Sequence, residues 1–271
     1  MNGNLNLKCG VDNTGRSYIK SQYFTSPFHI SKPYWNGESL LVQITSPTPG
    51  LFGGDKLTSS INIIQGSHVI ISNPSATRAH TMRDGKAKLH QTFSITNDSI
   101  LEFFPSPLIL QKGSKFYQRT DIDINHNGKL IMIETLAPGR IAHGESFEYE
   151  LFDSELNLQY NGTLVARERF RLEPKKQEFN VLKIPYTAAY YSSAYVINEE
   201  MNYKSDWINR INSVQNDKNR IGVSKLVNVG WNIKLLSSNS LENHEAIFKI
   251  RNILMEYFSK TSHQNRMFGF S

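Results

Sequence analysis

Ala87-Lys88-Leu89-His90-Gln91-Thr92-Phe93-Ser94-Ile95 alternates along its whole length. In an extended chain Ala87, Leu89, Gln91, Phe93 and Ile95 share one face, and Lys88, His90, Thr92 and Ser94 share the other. Successive side chains leave a pleated strand on opposite sides, so a repeat of two marks a strand with one buried face. Similar short runs occupy 40–45, 57–64, 68–72, 100–104, 116–124, 130–136, 147–152, 156–160 and 164–172. Turn signals separate them: 47–50, Gly53-Gly54, Asn73-Pro74, Asp84-Gly85, Asn97-Asp98, Asn127-Gly128 and Asn161-Gly162. Asn-Gly pairs suit tight hairpins because both turn residues take positive φ. Strands at this spacing, with no helix between them, predict stacked antiparallel β-sheets, a mainly β fold.

The last third changes character. Residues 187–198 are compatible with helix or strand, and 221–236 read as β again. Ser240 is placed to cap a helix from 241 to about 259, in which Ile247, Ile250, Leu254 and Tyr257 follow helical spacing. This predicts a small helical part near the C-terminus. No repeat, low-complexity segment or linker is evident, so residues 1–271 read as a single domain. The tail at 261–271 is expected to be disordered, with Phe268 and Phe270 free to dock on the fold or a partner.

The chain has 271 residues, enough to bury roughly three quarters of its unfolded surface. Fifteen Phe, twelve Tyr and three Trp supply a core, which argues against general disorder. Lys and Arg number 30 and Asp and Glu 24, a net charge of +6 with the basic residues scattered. That balance does not by itself indicate nucleic acid. The densest basic stretch, 167–176, is interrupted by Glu168 and Glu173 and reads as a solvated strand face. A single cysteine, Cys9, excludes an internal disulfide framework and fits a reducing compartment. The first ten residues lack the apolar core of a signal peptide, and no run approaches a membrane span. The chain therefore reads as soluble and cytoplasmic, with no membrane partner, and the sequons at Asn97 and Asn161 as irrelevant to glycosylation.

Common catalytic signatures are absent: no zinc helix of the His-Glu-x-x-His type, no phosphate loop and no nucleophile elbow. Four segments still concentrate unusual chemistry. Gly50-Leu51-Phe52-Gly53-Gly54-Asp55 is a glycine-rich turn in which Asp55 either accepts backbone N–H bonds or presents a carboxylate to a metal or partner. Ala137-Pro138-Gly139-Arg140-Ile141-Ala142-His143-Gly144-Glu145 gathers a guanidinium, an imidazole and a carboxylate. Its simplest reading is a loop closed by an Arg140–Glu145 salt bridge. Its functional reading is transient binding of a divalent metal by His143 and Glu145. Finally, Glu102 and Glu134 lie within otherwise apolar strands. Alternation most simply turns them to solvent. If they point inward they must pair with an arginine (Arg78, Arg83, Arg119 or Arg140) or line a wet channel. Pro105-Ser106-Pro107 reads as a rigid strand-ending turn.

Taken in order, these segments resemble the urease accessory proteins of the UreD/UreH type. The resemblance is carried by Leu51-Phe52-Gly53-Gly54-Asp55, by Ser75-Ala76-Thr77-Arg78 with Arg83 and Gly85, and by Glu102-Phe103-Phe104-Pro105-Ser106-Pro107. It continues through Phe116-Tyr117-Gln118-Arg119-Thr120, Gly139-Arg140-Ile141-Ala142-His143-Gly144-Glu145 and Arg167-Glu168-Arg169-Phe170. It is dense over 50–172 and looser beyond. What it implies is a maturation factor rather than an enzyme, with a β-rich fold of coiled sheets. Such a factor binds apo-urease together with a helical urease accessory protein and a nickel-carrying GTPase. It holds no cofactor tightly and passes Ni²⁺ through an internal water-filled passage. Asp55, Glu102, Glu134, His143 and Glu145 are the candidate metal-passing residues. Gly53, Gly54, Arg78, Arg119, Gly139, Arg140, Gly144 and Arg251 are the candidate structural or partner-contact positions. In the last helix Arg251 matches the family's arginine, while Phe248 stands where a tryptophan is common.

Two other readings compete. A free-standing hydrolase would use Asp55 and Glu145 as an acid/base pair. A β-rich binding module would account for the many aromatics without any chemistry.

Overall fold

The computed structural model describes residues 1–176, 189–203 and 206–258. In chain order the strands are β1 Asn2–Val11, β2 Ser17–Phe24, β3 His29–Ile30, β4 Tyr34–Asn36, β5 Ser39–Thr45 and β6 Lys56–Ile63. Then come β7 His68–Ser72, β8 Thr77–Ala79, β9 Ala87–Ile95, β10 Ile100–Phe104, β11 Leu108–Leu110 and β12 Lys115–Ile124. Last are β13 Lys129–Ala137, β14 Leu151–Tyr160, β15 Thr163–Leu172, β16 Tyr190–Ile197, β17 Asn219–Lys225 and β18 Trp231–Ser237. Two α-helices, α1 Asp206–Asn212 and α2 Ser240–Phe258, lie near the C-terminal end of the described chain. The mainly β architecture of stacked sheets with a small helical part is as expected.

The sense of strand pairing is not. The first sheet runs β15-β14-β12-β9-β6-β1-β2, and the second runs β17-β18-β16-β13-β10-β7-β5-β3 with short strands attached. From β5 to β14 the main strands alternate between the two sheets, so the next strand to return to the same sheet points the same way. Pairs β1·β6, β6·β9, β9·β12 and β12·β14 are parallel, as are β5·β7, β7·β10 and β10·β13. Antiparallel pairs such as β1·β2, β14·β15 and β16·β18 flank this parallel centre. The chain is therefore wound as a solenoid, and most turns read as hairpins are corners between sheets.

The corners explain their own sequence. Gln65, Asp98, Asn127 and Asn161 take positive φ of 61°, 60°, 58° and 50°. Asn and Asp tolerate that region better than most side chains. Stacked coils then bond corner to corner: Thr96 N–H to Ile63 O, Asn125 to Ile95 and Asn161 to Ile124, each at 2.9 Å. Of the Asn-led turns named from the sequence, Asn161-Gly162 is the one that makes the expected hairpin, joining β14 to β15.

Between the sheets lie two apolar clusters. One gathers around Ile63, Ile95, Phe93 and Ile124 near these corners. The other gathers around Leu51, Leu110, Phe116 and Tyr149 at the opposite end. A third cluster seats α1 and α2 on the outer face of the second sheet, with Trp207 against Trp231 edge-to-face at 4.9 Å.

Local readings fared variously. Residues 190–197 are strand, and β17 and β18 fill the β-like stretch 221–236. The two runs 147–152 and 156–160 merge largely into β14, which starts only at Leu151. The helix α2 begins at Ser240, but the capping side chain is Asn239, whose Oδ1 accepts the Glu242 N–H at 3.0 Å. The buried face of α2 is Asn243, Ala246, Ile250, Arg251, Leu254, Met255 and Phe258, so Ile247 and Tyr257 lie at its margin. The tail 261–271 lies outside the described residues.

Candidate functional site

The family-like segments converge at one end of the solenoid. Leu51 pairs with Ala79 in a parallel bridge, and Leu51 N–H donates to Arg78 O at 2.8 Å. Gln111 N–H donates to Ala79 O at 3.0 Å, and Gly113 N–H to Glu148 O at 3.0 Å. The loops therefore continue the coil stacking beyond the strands. Glycine is required where they touch: a Cβ on Gly53 would lie 2.1 Å from Asp84 O, and one on Gly139 2.8 Å from Glu145 O. Gly54 and Gly144 take φ of 88° and 75°, turns that side chains resist.

The carboxylates here are engaged. Asp55 is buried; Phe52 N–H donates to its Oδ2 at 2.8 Å, and the Met1 amino group to its Oδ1 at 2.6 Å. Glu145 accepts Arg140 Nε at 2.9 Å, a second bond from the same guanidinium, and Lys112 N–H at 3.2 Å. Arg140's bonds, with help from Lys112 and against partial burial, hold Glu145 below the usual carboxylate range. The simplest reading of this loop, a salt bridge across its mouth, is what forms. His143 ends a 3₁₀ turn, Ile141–His143, and is exposed. Arg78 and Arg83 are exposed at the same end. Arg119 is elsewhere, on the outer face of the first sheet, with Nε 2.8 Å from Asp121 Oδ2. The hydrolase reading gains nothing from this arrangement, in which each carboxylate is bound by donors of its own.

Glu102 and Glu134 overturn the solvent-facing expectation in opposite directions. On β10, Leu101 and Phe103 face the apolar core between the sheets, which turns Glu102 toward α2. It is completely buried there. Arg251 Nε and Nη2 lie 2.7 Å from its Oε2, and His68 Nε2 lies 2.8 Å from its Oε1. The arginine partner is thus none of the four named from sequence. Burial raises its pKa, but the His68 bond and the Arg251 charge outweigh that and hold it low.

On β13, Glu134 shares a face with Leu130, Met132 and Leu136 and points between the sheets. Gln91 Nε2 and Gln118 Nε2 donate to its Oε1 at 3.2 and 2.8 Å. The carboxyl looks into a cavity, which is why it keeps some open surface deep in the fold. Burial pushes its pKa up, and the two amide bonds draw it partway back.

That cavity runs across the strands between the two apolar clusters, from Leu5 and Ile44 at one side to Phe170 and Tyr191 at the other. Its polar lining follows the register: Ser59 opposite Gln91 and Gln118 opposite Ser154 in the first sheet, Glu134 opposite Ser193 in the second. Space open to the centre of a water-sized sphere is about 170 Å³. At roughly 30 Å³ of liquid volume per water, that is room for several waters. Ser59 Oγ is buried without a protein partner, the kind of atom such water serves. Glu168 also lines the cavity and was missed as a site residue. The signal was present: in Arg167-Glu168-Arg169-Phe170 the arginines are exposed, so alternation turns Glu168 inward.

The five candidate metal residues are therefore not one cluster. Among the described residues no group of three His, Cys, Asp or Glu side chains is arranged to hold a metal ion. No helix among the described residues is long and apolar enough to cross a membrane.

Fold and site together define a two-sheet β-solenoid with a largely apolar internal cavity that carries a few polar groups, a glycine-rich loop cluster at one end and helices packed on one outer face. The family model of the UreD urease accessory protein matches residues 1–268. A urease accessory protein UreD of Opitutus terrae is 32% identical over 263 residues, covering 95% of this chain and 96% of that protein. One from Acetivibrio thermocellus is 28% identical over 250 residues, covering 89% and 92%. One from Staphylococcus aureus is 24% identical over 270 residues, covering 98% and 95%. The chain belongs to the UreD family of urease accessory proteins.

Proposed function

We propose that this chain acts in urease maturation by binding apo-urease and conducting Ni²⁺ toward its active site. It works with a helical urease accessory protein and a nickel-carrying GTPase. Nickel is cargo here, not a resident cofactor, and the chain itself catalyses no reaction. The work is done inside the cell, where urease is assembled.

The observation that supports a conducting role is Glu134 in the intersheet cavity. Both amide donors reach Oε1, which leaves Oε2 open to the cavity. A transit site needs oxygen donors that hold a divalent ion weakly, because strong chelation stops release. One carboxylate with serine and glutamine oxygens nearby meets that need. An arriving cation favours the ionised carboxylate, offsetting the burial that disfavours it. Asp55, Glu102 and Glu145 are held by fixed donors and serve better as structural anchors. His143, exposed on the loop cluster, stays a candidate for contact with metal or partner.

The test is co-expression of the urease subunits and accessory proteins with the wild-type chain, Glu134→Gln or Glu134→Ala. Pull-down of apo-urease confirms assembly, and metal analysis gives the nickel content of purified urease. Nickel content well below wild type, with assembly intact, is expected. Normal nickel content in both assembled variants would sink the reading.

A further inference from the structure

At the β15 end of the cavity an ammonium sits in an oxygen cage. Lys234, on β18, places Nζ 2.6 and 2.7 Å from the two oxygens of Glu168 and 2.9 Å from Ser193 Oγ. The rings of Tyr191 and Tyr195 flank it, with centroids at 5.5 and 5.9 Å. Tyr195 also donates its hydroxyl to Glu168. Glu168, Ser193, Tyr191 and Tyr195 line the cavity, whereas Lys234 does not. The lysine therefore reaches the carboxylate from outside and covers it. Glu168 belongs to the first sheet and the other four residues to the second, so the cluster also ties the sheets together at this end.

Three oxygens around a point cation, with two aromatic faces beside them, make a cation position whose present occupant is Lys234. The donors are hard, two from a carboxylate and one from a hydroxyl, which suits a divalent ion. The occupant is displaceable on three grounds. Its side chain is 34% exposed and that of Glu168 30%. Ion pairs this open are worth little. Its four-carbon stem can swing away, and a doubly charged ion at equal distance attracts the carboxylate twice as strongly. Glu102 shows the contrast, since its arginine is buried with it and cannot leave.

We propose that Glu168 and Ser193 form a divalent-cation site plugged by Lys234, and that an ion occupies this end of the cavity by displacing the ammonium. The role of that site in nickel transit rests on the conducting function above; the site itself does not.

The experiment is titration of the full chain, its affinity tag removed, with Ni²⁺ alone by calorimetry, and with Mg²⁺ as reference. Wild type, Lys234→Met, Lys234→Arg and the double variant Lys234→Met/Glu168→Gln are compared, each checked for folding by circular dichroism. Lys234→Met is expected to bind Ni²⁺ up to about fivefold more tightly than wild type, because the carboxylate loses its competitor. Lys234→Arg keeps a competitor and shows no gain, and the double variant loses the gain. Equal affinity in wild type and Lys234→Met, or a gain that survives in the double variant, would overturn the proposal. Because this readout needs no urease, it separates the two ideas. A gain that depends on Glu168, together with normal urease nickel in the Glu134 variants, upholds the site and rejects the transit.

Discussion

Arg251 and Glu102 stand 149 positions apart in sequence and meet as a buried ion pair, with Nε and Nη2 both 2.7 Å from Oε2. This pair pins α2 to the second sheet at a point where the surrounding contact is apolar. Removing Arg251 leaves the buried Glu102 carboxylate with only its His68 bond, at a cost of up to about 3–5 kcal/mol. Arg251→Met is therefore expected to lower stability by that order in denaturant melts. Arg251→Met/Glu102→Leu should recover much of it, since replacing both charges is often neutral. A double variant no better than the single would refute this account.

The same pair makes the fold acid-sensitive. Glu102 has a native pKa held below the ordinary 4.5. A depressed carboxyl pKa adds stability that is complete above the unfolded value and is lost as pH falls through the native one. Melting temperature should therefore decline below about pH 4.5 in the wild type. In the Arg251→Met/Glu102→Leu variant the decline should be shallower over that window, and equal slopes would exclude Glu102 as a source.

Glu134 has the opposite sign. Burial raises its native pKa, so the ionised group costs stability that grows as pH rises from 4.5 through the native value. Glu134→Gln should stabilise the protein at neutral pH by on the order of 1 kcal/mol. The difference should vanish below pH 4.5. A gain in stability joined to a loss of nickel delivery would be the signature of a functional group kept at a cost to the fold. Destabilisation at neutral pH would instead make Glu134 structural.

Glycine at the loop cluster is testable against an internal control. A Cβ on Gly53 would meet a backbone oxygen at 2.1 Å, whereas one on Gly162 would meet nothing within 4 Å. Gly53→Ala is expected to cost about 2–3 kcal/mol, because backbone must move. Gly162→Ala carries only the left-handed strain of its φ of 73°, about 1 kcal/mol. Comparable melting temperatures for the two variants would contradict the close approach of 53 to 84.

The helical part is also docked through α1. Trp207 on α1 is fully buried and meets Trp231 edge-to-face. Trp207→Ala should cost about 3–5 kcal/mol and Trp207→Phe markedly less. Limited proteolysis should then cut first near α1, and an unchanged digestion pattern would argue against this anchoring.

The sequence by itself determined most strands from residue 40 onward, the places where the chain turns and the inward face of most of those strands; β1 to β4 were not read from it. Alternation such as that of 87–95 is a local property, fixed by which side of a pleat each residue leaves. It also carried the Arg140–Glu145 bridge, whose partners are five residues apart, and the motif order that marks the family. Tertiary structure alone decided how strands pair. A turn such as Asn127-Gly128 can return the chain to its own sheet or cross to the facing one, and the winding of neighbouring coils selects the second. The same winding decided the fate of the acids. Glu102 and Glu134 look alike in sequence, yet opposite faces of one sheet give one an arginine from a distant helix and the other an internal cavity. No local pattern encodes that, because the partner that satisfies a buried charge is set by which surfaces the folded chain brings together.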